Sequence, residues 1–431
     1  MSESTKLNQI LQTEFPIAER LLSSRGQNLY FPTTGILKQS AEAKSTKINA
    51  TIGIALNDEG LPMSTPSLLK HIGNDPSVLK YAPSFGIPEL REVWKQEIYQ
   101  KNPSLKNAPI TLPVVTGGLT HGLSIVADMF LNPGDEVIVP DAFWGNYKLI
   151  FEVLHEAPLR TFELFNEKVR FNTHGLDTML KQEGTKKIVI LNFPNNPTGY
   201  TPTTDELRNI IQTLKGAAEQ EKEILVICDD AYFGLVFEEG IALESPFSAL
   251  ATAHKNILAV KIDGATKEEF AWGLRIAFIT LAGKEITPQS AYALEQKLGG
   301  AIRGNCSNCC TLSQQALLKA IKSPSHIAEK LENYEILKKR FLLAKKILKK
   351  QQEKFAPYFE MVPSNSGYFF CLKVNETIST ETLRMRLIQN FSIGTIATGQ
   401  LLRIAFSATP EEQIPILLEH IYQCCTELRT L

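Results

Sequence analysis

The strongest constraint on the fold is a series of short apolar segments through the middle of the chain. Residues 136–140, 187–192, 224–228, 257–262 and 276–281 are each five or six residues long and rich in Val and Ile, with little polar alternation. Strands of that kind are covered on both faces, as in parallel sheets. Helical patterns lie between them, at 120–130 and 203–220. The second opens on Thr203-Thr204-Asp205-Glu206, a capping box that satisfies free amides of a first helical turn. Strand, helix, strand repetition predicts an α/β fold with a mostly parallel sheet.

The chain has 431 residues, and about 150 residues per domain gives two or three domains. A hydrophobic content of 43% with 21% charged residues allows a large core and excludes wholesale disorder. The pattern changes near residue 325. Residues 324–355 read as one long helix, and its run Lys345, Lys346, Lys349 and Lys350 reads as a solvated face. Strand-like segments at 367–374 and 401–407 follow. Thr409-Pro410-Glu411-Glu412 then reads as the cap of a last helix, with Pro at its first position. The expected organisation is an N-terminal arm (1–55) packing on the small domain, a large domain (56–325) and a small C-terminal α+β domain (326–431).

Lys plus Arg is 45 and Asp plus Glu is 46, a net charge of -1. That balance gives no electrostatic footprint for nucleic acid. No apolar run approaches the ~18 residues of a membrane span. Residues 1–15 lack the compact apolar core of a secretory signal. The expectation is a cytoplasmic protein with neither nucleic acid nor membrane as partner. The seven cysteines (Cys228, Cys306, Cys309, Cys310, Cys371, Cys424 and Cys425) are an odd set that argues against a disulfide framework. Cys306-x-x-Cys309-Cys310 lacks the second pair that a zinc site needs, so no metal is expected.

Parallel sheets bind ligands at the carboxyl ends of their strands, and this chain carries its informative polar residues there. Gly117-Gly118-Leu119-Thr120 opens a helix and offers free amides to an anion; it is neither a P-loop nor a G-x-G-x-x-G turn. Asn195-Asn196-Pro197-Thr198-Gly199 closes one strand and Asp229-Asp230-Ala231-Tyr232 the next. A carboxylate buried at a strand end needs a partner. Lys267 follows a third strand, with Arg275 eight residues on. A buried amine loses proton affinity and becomes a nucleophile toward carbonyls.

Together these pieces resemble the fold-type I pyridoxal-phosphate (PLP) enzymes, the class I/II aminotransferases, and most closely the aspartate aminotransferase branch. The resemblance spans roughly residues 47–425. Residues 48–53 with Asn57-Asp58-Glu59-Gly60 are similar to the family's substrate-covering segment. Tyr81-Ala82-Pro83-Ser84-Phe85-Gly86 is similar to its Tyr-x-Pro-x-x-Gly motif, and Phe143-Trp144-Gly145-Asn146-Tyr147 to its Trp-Gly-Asn-His stretch. The resemblance implies a large PLP-binding domain with a smaller α+β domain, and an amino group moved between an amino acid and a 2-oxo acid by a ping-pong Schiff-base route. Lys267 would hold PLP and move the proton. Asp229 would pair with the pyridine nitrogen. Tyr232 and Asn196 would bind the ring's phenolic oxygen, and Trp144 would stack on the ring. Gly118, Leu119, Thr120 and Arg275 would hold the phosphate, helped by Tyr81 of a neighbouring subunit. Gly53, Asn196 and Arg403 would meet the substrate, Arg403 clamping its α-carboxylate. Arg303, in Ile302-Arg303-Gly304-Asn305-Cys306-Ser307-Asn308, would read a side-chain carboxylate across a homodimer interface.

Two departures stand out. Gly264 occupies the position where the family usually has Ser, with Thr266 as a substitute hydroxyl. Gly399-Gln400-Leu401-Leu402 separates Arg403 from the glycine it directly follows in the dicarboxylate branch. The substrate is therefore expected to be dicarboxylic (aspartate, glutamate) or aromatic. A PLP lyase or decarboxylase is the alternative, since fold does not fix reaction. A PLP-sensing transcription regulator is disfavoured, because no helix-turn-helix pattern precedes the catalytic-like region.

Overall fold

The computed structural model describes residues 35–51, 53–70 and 76–429, together with 5, 8, 9, 12 and 13. Most of residues 1–34 of the expected arm, and Ile52 of the substrate-covering segment, lie outside the described residues. The strands are β1 (Ile48–Asn49), β2 (Val114–Thr116), β3 (Val137–Pro140), β4 (Leu159–Phe162), β5 (Lys186–Asn192), β6 (Glu223–Asp229), β7 (Ile257–Asp263), β8 (Ala277–Ala282), β9 (Phe359–Met361), β10 (Phe370–Val374), β11 (Ile393–Gly394), β12 (Ile396–Thr398) and β13 (Leu401–Ile404).

Seven of them form one sheet in the order β2-β8-β7-β6-β5-β3-β4. Strands β3 to β7 pair in parallel, as the apolar runs predict. Alternate residues feed two separate cores: Ile188 and Ile190 pack on one face of β5, Val189 and Leu191 on the other. In β3, β5, β6 and β7 both faces are covered, which is why these strands carry no polar alternation; the edge strand β4 leaves Arg160 and Thr161 exposed. Strand β8 is the exception, antiparallel to both β7 and β2. The segment between β7 and β8 turns back at the strand ends instead of crossing the sheet, and a strand entered that way runs antiparallel.

The helix Thr204–Glu219 has the capping box read from its sequence. Thr203 N donates to Glu206 Oε2 at 2.8 Å, and Glu206 N donates to Thr203 Oγ1 at 3.2 Å. Three C-terminal readings need correction. The long helix runs only His326–Lys350; it breaks at Gln351 and resumes at Gln352–Phe355, which turns Phe355 inward to stack on Phe359 at 5.1 Å. Lys345 is not simply solvated, because it pairs with Glu238. The last helix starts at Gln413, not Pro410. The Thr409 hydroxyl donates back to Ala405 O at 3.0 Å, and Gln413 N donates to Pro410 O at 3.0 Å, so residues 410–412 form a turn ahead of the helix.

The second sheet is antiparallel, β12-β13-β10-β9. The helix Gly35–Glu42 lies against its edge. Gln39 Nε2 donates to Ala397 O at 2.9 Å and Gln39 Oε1 accepts from Ala397 N at 2.6 Å, so one side-chain amide stands in for a neighbouring strand. Strand β1 pairs in parallel with β11 just beyond it. No helix among the described residues is long and apolar enough to cross a membrane.

Candidate active site

The register of the parallel strands brings the polar strand ends together. Asn192 at the end of β5 lies opposite Asp229 at the end of β6. Asn192 Nδ2 donates to Asp229 O at 2.8 Å, and its Oδ1 accepts from Asn196 N at 2.9 Å. One side chain thus fixes the Asn196 loop to the Asp229 strand end. Beyond β7, the short helix Ala265–Glu268 carries Lys267 to the same place. Lys267, Asp229, Tyr232, Asn196, Leu119, Thr120, Trp144, Arg275, Gly53 and Arg403 all line one cavity of about 550 Å³. Gly118 borders it: its φ is +95°, and a Cβ there would lie 2.4 Å from Arg275 Nη2. Only a glycine allows that approach. Tyr81 is 91% exposed and Arg303 is exposed, donating to Ser307 Oγ at 2.9 Å. Neither lines the cavity of its own chain.

Charge in the cavity is lopsided. Lys44, Lys267, Arg275 and Arg403 face a single carboxylate, Asp229. Burial pushes the Lys267 amine down; Asp229 opposes this, Arg275 adds to it, and the amine settles at about 8. Burial pushes the Asp229 carboxyl up, against the pull of a Tyr147 hydrogen bond and the Lys267 charge. Tyr147 OH donates to Asp229 Oδ2, and Ala231 N donates to Oδ1 at 3.2 Å. Arg403 is held on three sides. It donates to Asn196 Oδ1 at 3.1 Å and to Thr51 O at 3.2 Å, and lies 4.2 Å above the Phe369 ring.

Both sequence departures have structural reasons. A Cβ on Gly264 would sit 2.6 Å from the Ala277 Cα, so β8 leaves no room for a serine. The Thr266 hydroxyl is buried, and the residue does not line the cavity. The residues that separate Arg403 from the usual glycine form a hairpin. Thr398 pairs with Leu401, leaving Gly399 (φ +56°) and Gln400 as a two-residue turn. Sequence reading missed Asn192, Tyr147, Phe369 and Lys44. Tyr147 stood in a quoted motif, at the position of the family's His. The other three had no motif to mark them.

The Cys306-x-x-Cys309 pair does meet a third group, His121, within 4.8 Å. His121 Nδ1 accepts from Gly117 N at 2.9 Å. The neutral ring therefore carries its proton on Nε2, whereas a metal-bound histidine needs one bare nitrogen and usually donates from the other.

The profile of the class I and II aminotransferases matches residues 45–421. The chain is 24% identical over 320 residues to the aspartate aminotransferase of Sulfurisphaera tokodaii, covering 73% of each protein. An aminotransferase structure from Anaerococcus prevotii matches with a TM-score of 0.82 at 22% identity, over 94% of this chain and 99% of that one. The aspartate aminotransferase of Thermus thermophilus with maleate matches at 0.73 and 20% identity, over 94% and 99%. The chain belongs to the class I and II aminotransferases, a family that uses pyridoxal phosphate to act on amino acids and 2-oxo acids.

Proposed function

We propose that this chain is an aminotransferase for α-amino acids of the aspartate and aromatic classes, working as a homodimer by a ping-pong route. The observation that carries the reading is one cavity holding a poised amine (Lys267), a buried carboxylate (Asp229) and a fixed guanidinium (Arg403). The division into an arm (1–55), a large domain (56–325) and a small domain (326–431) is part of the same reading.

The cavity fits pyridoxal phosphate on its own geometry. Asp229 is a buried carboxylate in need of a cationic partner, which a protonated pyridine supplies. The Leu119–Phe130 helix starts without a side-chain cap, so its first amides are free for a phosphate beside Arg275. Bound there, the cofactor supplies a carbonyl for amines and a ring that draws electrons from the substrate's α-carbon. Lys267, its amine pushed down to about 8 by burial, gives up its proton more readily than an ordinary lysine and is unprotonated from mildly alkaline pH upward. That nitrogen takes the proton from the α-carbon and returns it on the other side of the transfer. Tyr147 holds the Asp229 carboxylate in place. Asn196 gives its oxygen to Arg403, which leaves its NH2 for the ring oxygen, with Tyr232 beside it. Arg403 fixes the α-carboxylate as a two-pronged donor. The exposure of Tyr81 and Arg303, and their absence from their own cavity, supports a dimer in which each copy lends them to the other.

The test is the visible spectrum of the holoenzyme with single amino acids. Conversion of bound pyridoxal phosphate to its amine form by one donor class, and return with a 2-oxo acid, is expected. A cofactor band that no amino acid converts would overturn the reading.

A further inference from the structure

The cavity has one more cation than a cofactor and a simple amino acid require. Arg275 stands at the phosphate end beside Gly118, Arg403 is the clamp for one carboxylate, and the Lys267 amine is committed to the cofactor. Lys44 is left over. Its nearest acidic neighbour in sequence, Glu42, already meets Lys38 and Arg384, and among the described residues Lys44 has no ion-pair partner. A chain of hydrogen bonds sets where Lys44 stands. Asn49 Nδ2 donates to Ala43 O at 3.1 Å, Asn49 Oδ1 accepts from Thr51 N at 3.1 Å, and Thr51 O accepts from Arg403. The turn that carries Lys44 is therefore tied through Asn49 and Thr51 to Arg403.

We propose that Lys44, at the end of the Gly35–Glu42 helix, reads a second acidic group on the substrate, making dicarboxylic amino acids the preferred donors. The inference rests on the transaminase reading above and names the substrate class of that same site. Two carboxylates of one substrate would each meet a cation of the cavity, one on Arg403 and the other on Lys44. Because Lys44 is exposed, its attraction is screened by salt.

The experiment uses the holoenzyme and its Lys44→Gln and Lys44→Arg forms. Aspartate, glutamate, alanine and phenylalanine are compared by kcat/KM, and maleate binding is measured by calorimetry. In Lys44→Gln the ratio of kcat/KM for aspartate over alanine is expected to fall roughly tenfold, through KM and not kcat, with maleate weakened alike; this is the scale of a charge-assisted contact at a partly solvated site. Lys44→Arg should restore most of the ratio, and added salt should shrink the difference. An unchanged ratio and unchanged maleate affinity in Lys44→Gln overturn the inference. So does a ratio that falls only in Arg303→Ala. A wild-type enzyme that transaminates only uncharged donors overturns it too, while leaving the transaminase reading standing. A wild type that transaminates nothing overturns that reading instead.

Discussion

Two lysines six positions apart, Lys267 half-buried at the cavity and Lys261 fully buried, behave in opposite ways. Lys267 faces the cavity, with one carboxylate for company and a guanidinium nearby, and burial carries its amine down to about 8. Lys261 lies on β7, fully buried. Burial pulls its amine down as well, but Asp230 and Asp263 more than offset it, and the amine ends above its ordinary value. Asp263 sits 3.4 Å away and is itself held by Trp94 Nε1 at 3.1 Å; Ser245 Oγ donates to Asp230 at 2.6 Å. Asp229 and Asp230 are adjacent in sequence, yet one serves the cavity and the other this closed ion cluster. Depth of burial is therefore not what makes a lysine reactive. The counter-charge decides: two carboxylates hold the Lys261 amine charged, whereas Asp229 alone, opposed by Arg275, leaves Lys267 below its ordinary value.

The largest effect should come from removing the Lys267 amine. Lys267→Ala is expected to lower turnover by about 10³-fold or more, with the circular dichroism spectrum of the cofactor-free protein near wild type and its unfolding midpoint below pH 8 no lower than wild type. Retained turnover would break the contrast. Lys261→Met should do the reverse. It strands two buried carboxylates and should cost about 3–5 kcal/mol of stability, read from urea midpoints; an unchanged midpoint would make the cluster no stronger than a surface pair. The third effect is in pH. In cofactor-free protein Lys267 binds its proton less tightly than the unfolded chain does, about 8 against 10.5. The unfolded chain then holds more protons in that window, so stability should rise by about 3 kcal/mol from pH 8 to 10.5. Lys267→Met should flatten the rise. Lys261, with its value raised, contributes stability that is present below 10.5 and lost only above it, so it should not produce such a rise.

The reach of the sequence follows the same division. Strands β3, β5, β6 and β7 were legible because a strand buried on both faces must be apolar at every position; β4, an edge strand with Arg160 and Thr161 exposed, left no such run. The Thr203 cap was legible because its partner Glu206 is three residues away. Lys267, Asp229 and Arg275 were legible through the order of motifs at strand ends. What was hidden depends on distant neighbours. Asp230 visibly needed a partner, but only pairing of β6 with β7 supplies Lys261. Gly264 looked like a lost contact until Ala277 was seen against it. Pro410 carried a valid helix-start pattern, yet residues 410–412 close a turn through Gln413 N and Pro410 O before the helix begins. Lys44 has no local mark at all, since its place depends on Asn49, Thr51 and Arg403.

The amide of Gln39 has a second consequence. Strand β12 is an edge strand, and a bare edge is a template on which another chain can add a strand. By occupying both the N–H and the C=O of Ala397, Gln39 denies that template to other molecules. The helix that ends just before Lys44 thus also covers part of an open sheet edge, and Gln39→Ala should leave the Ala397 N–H and C=O bare.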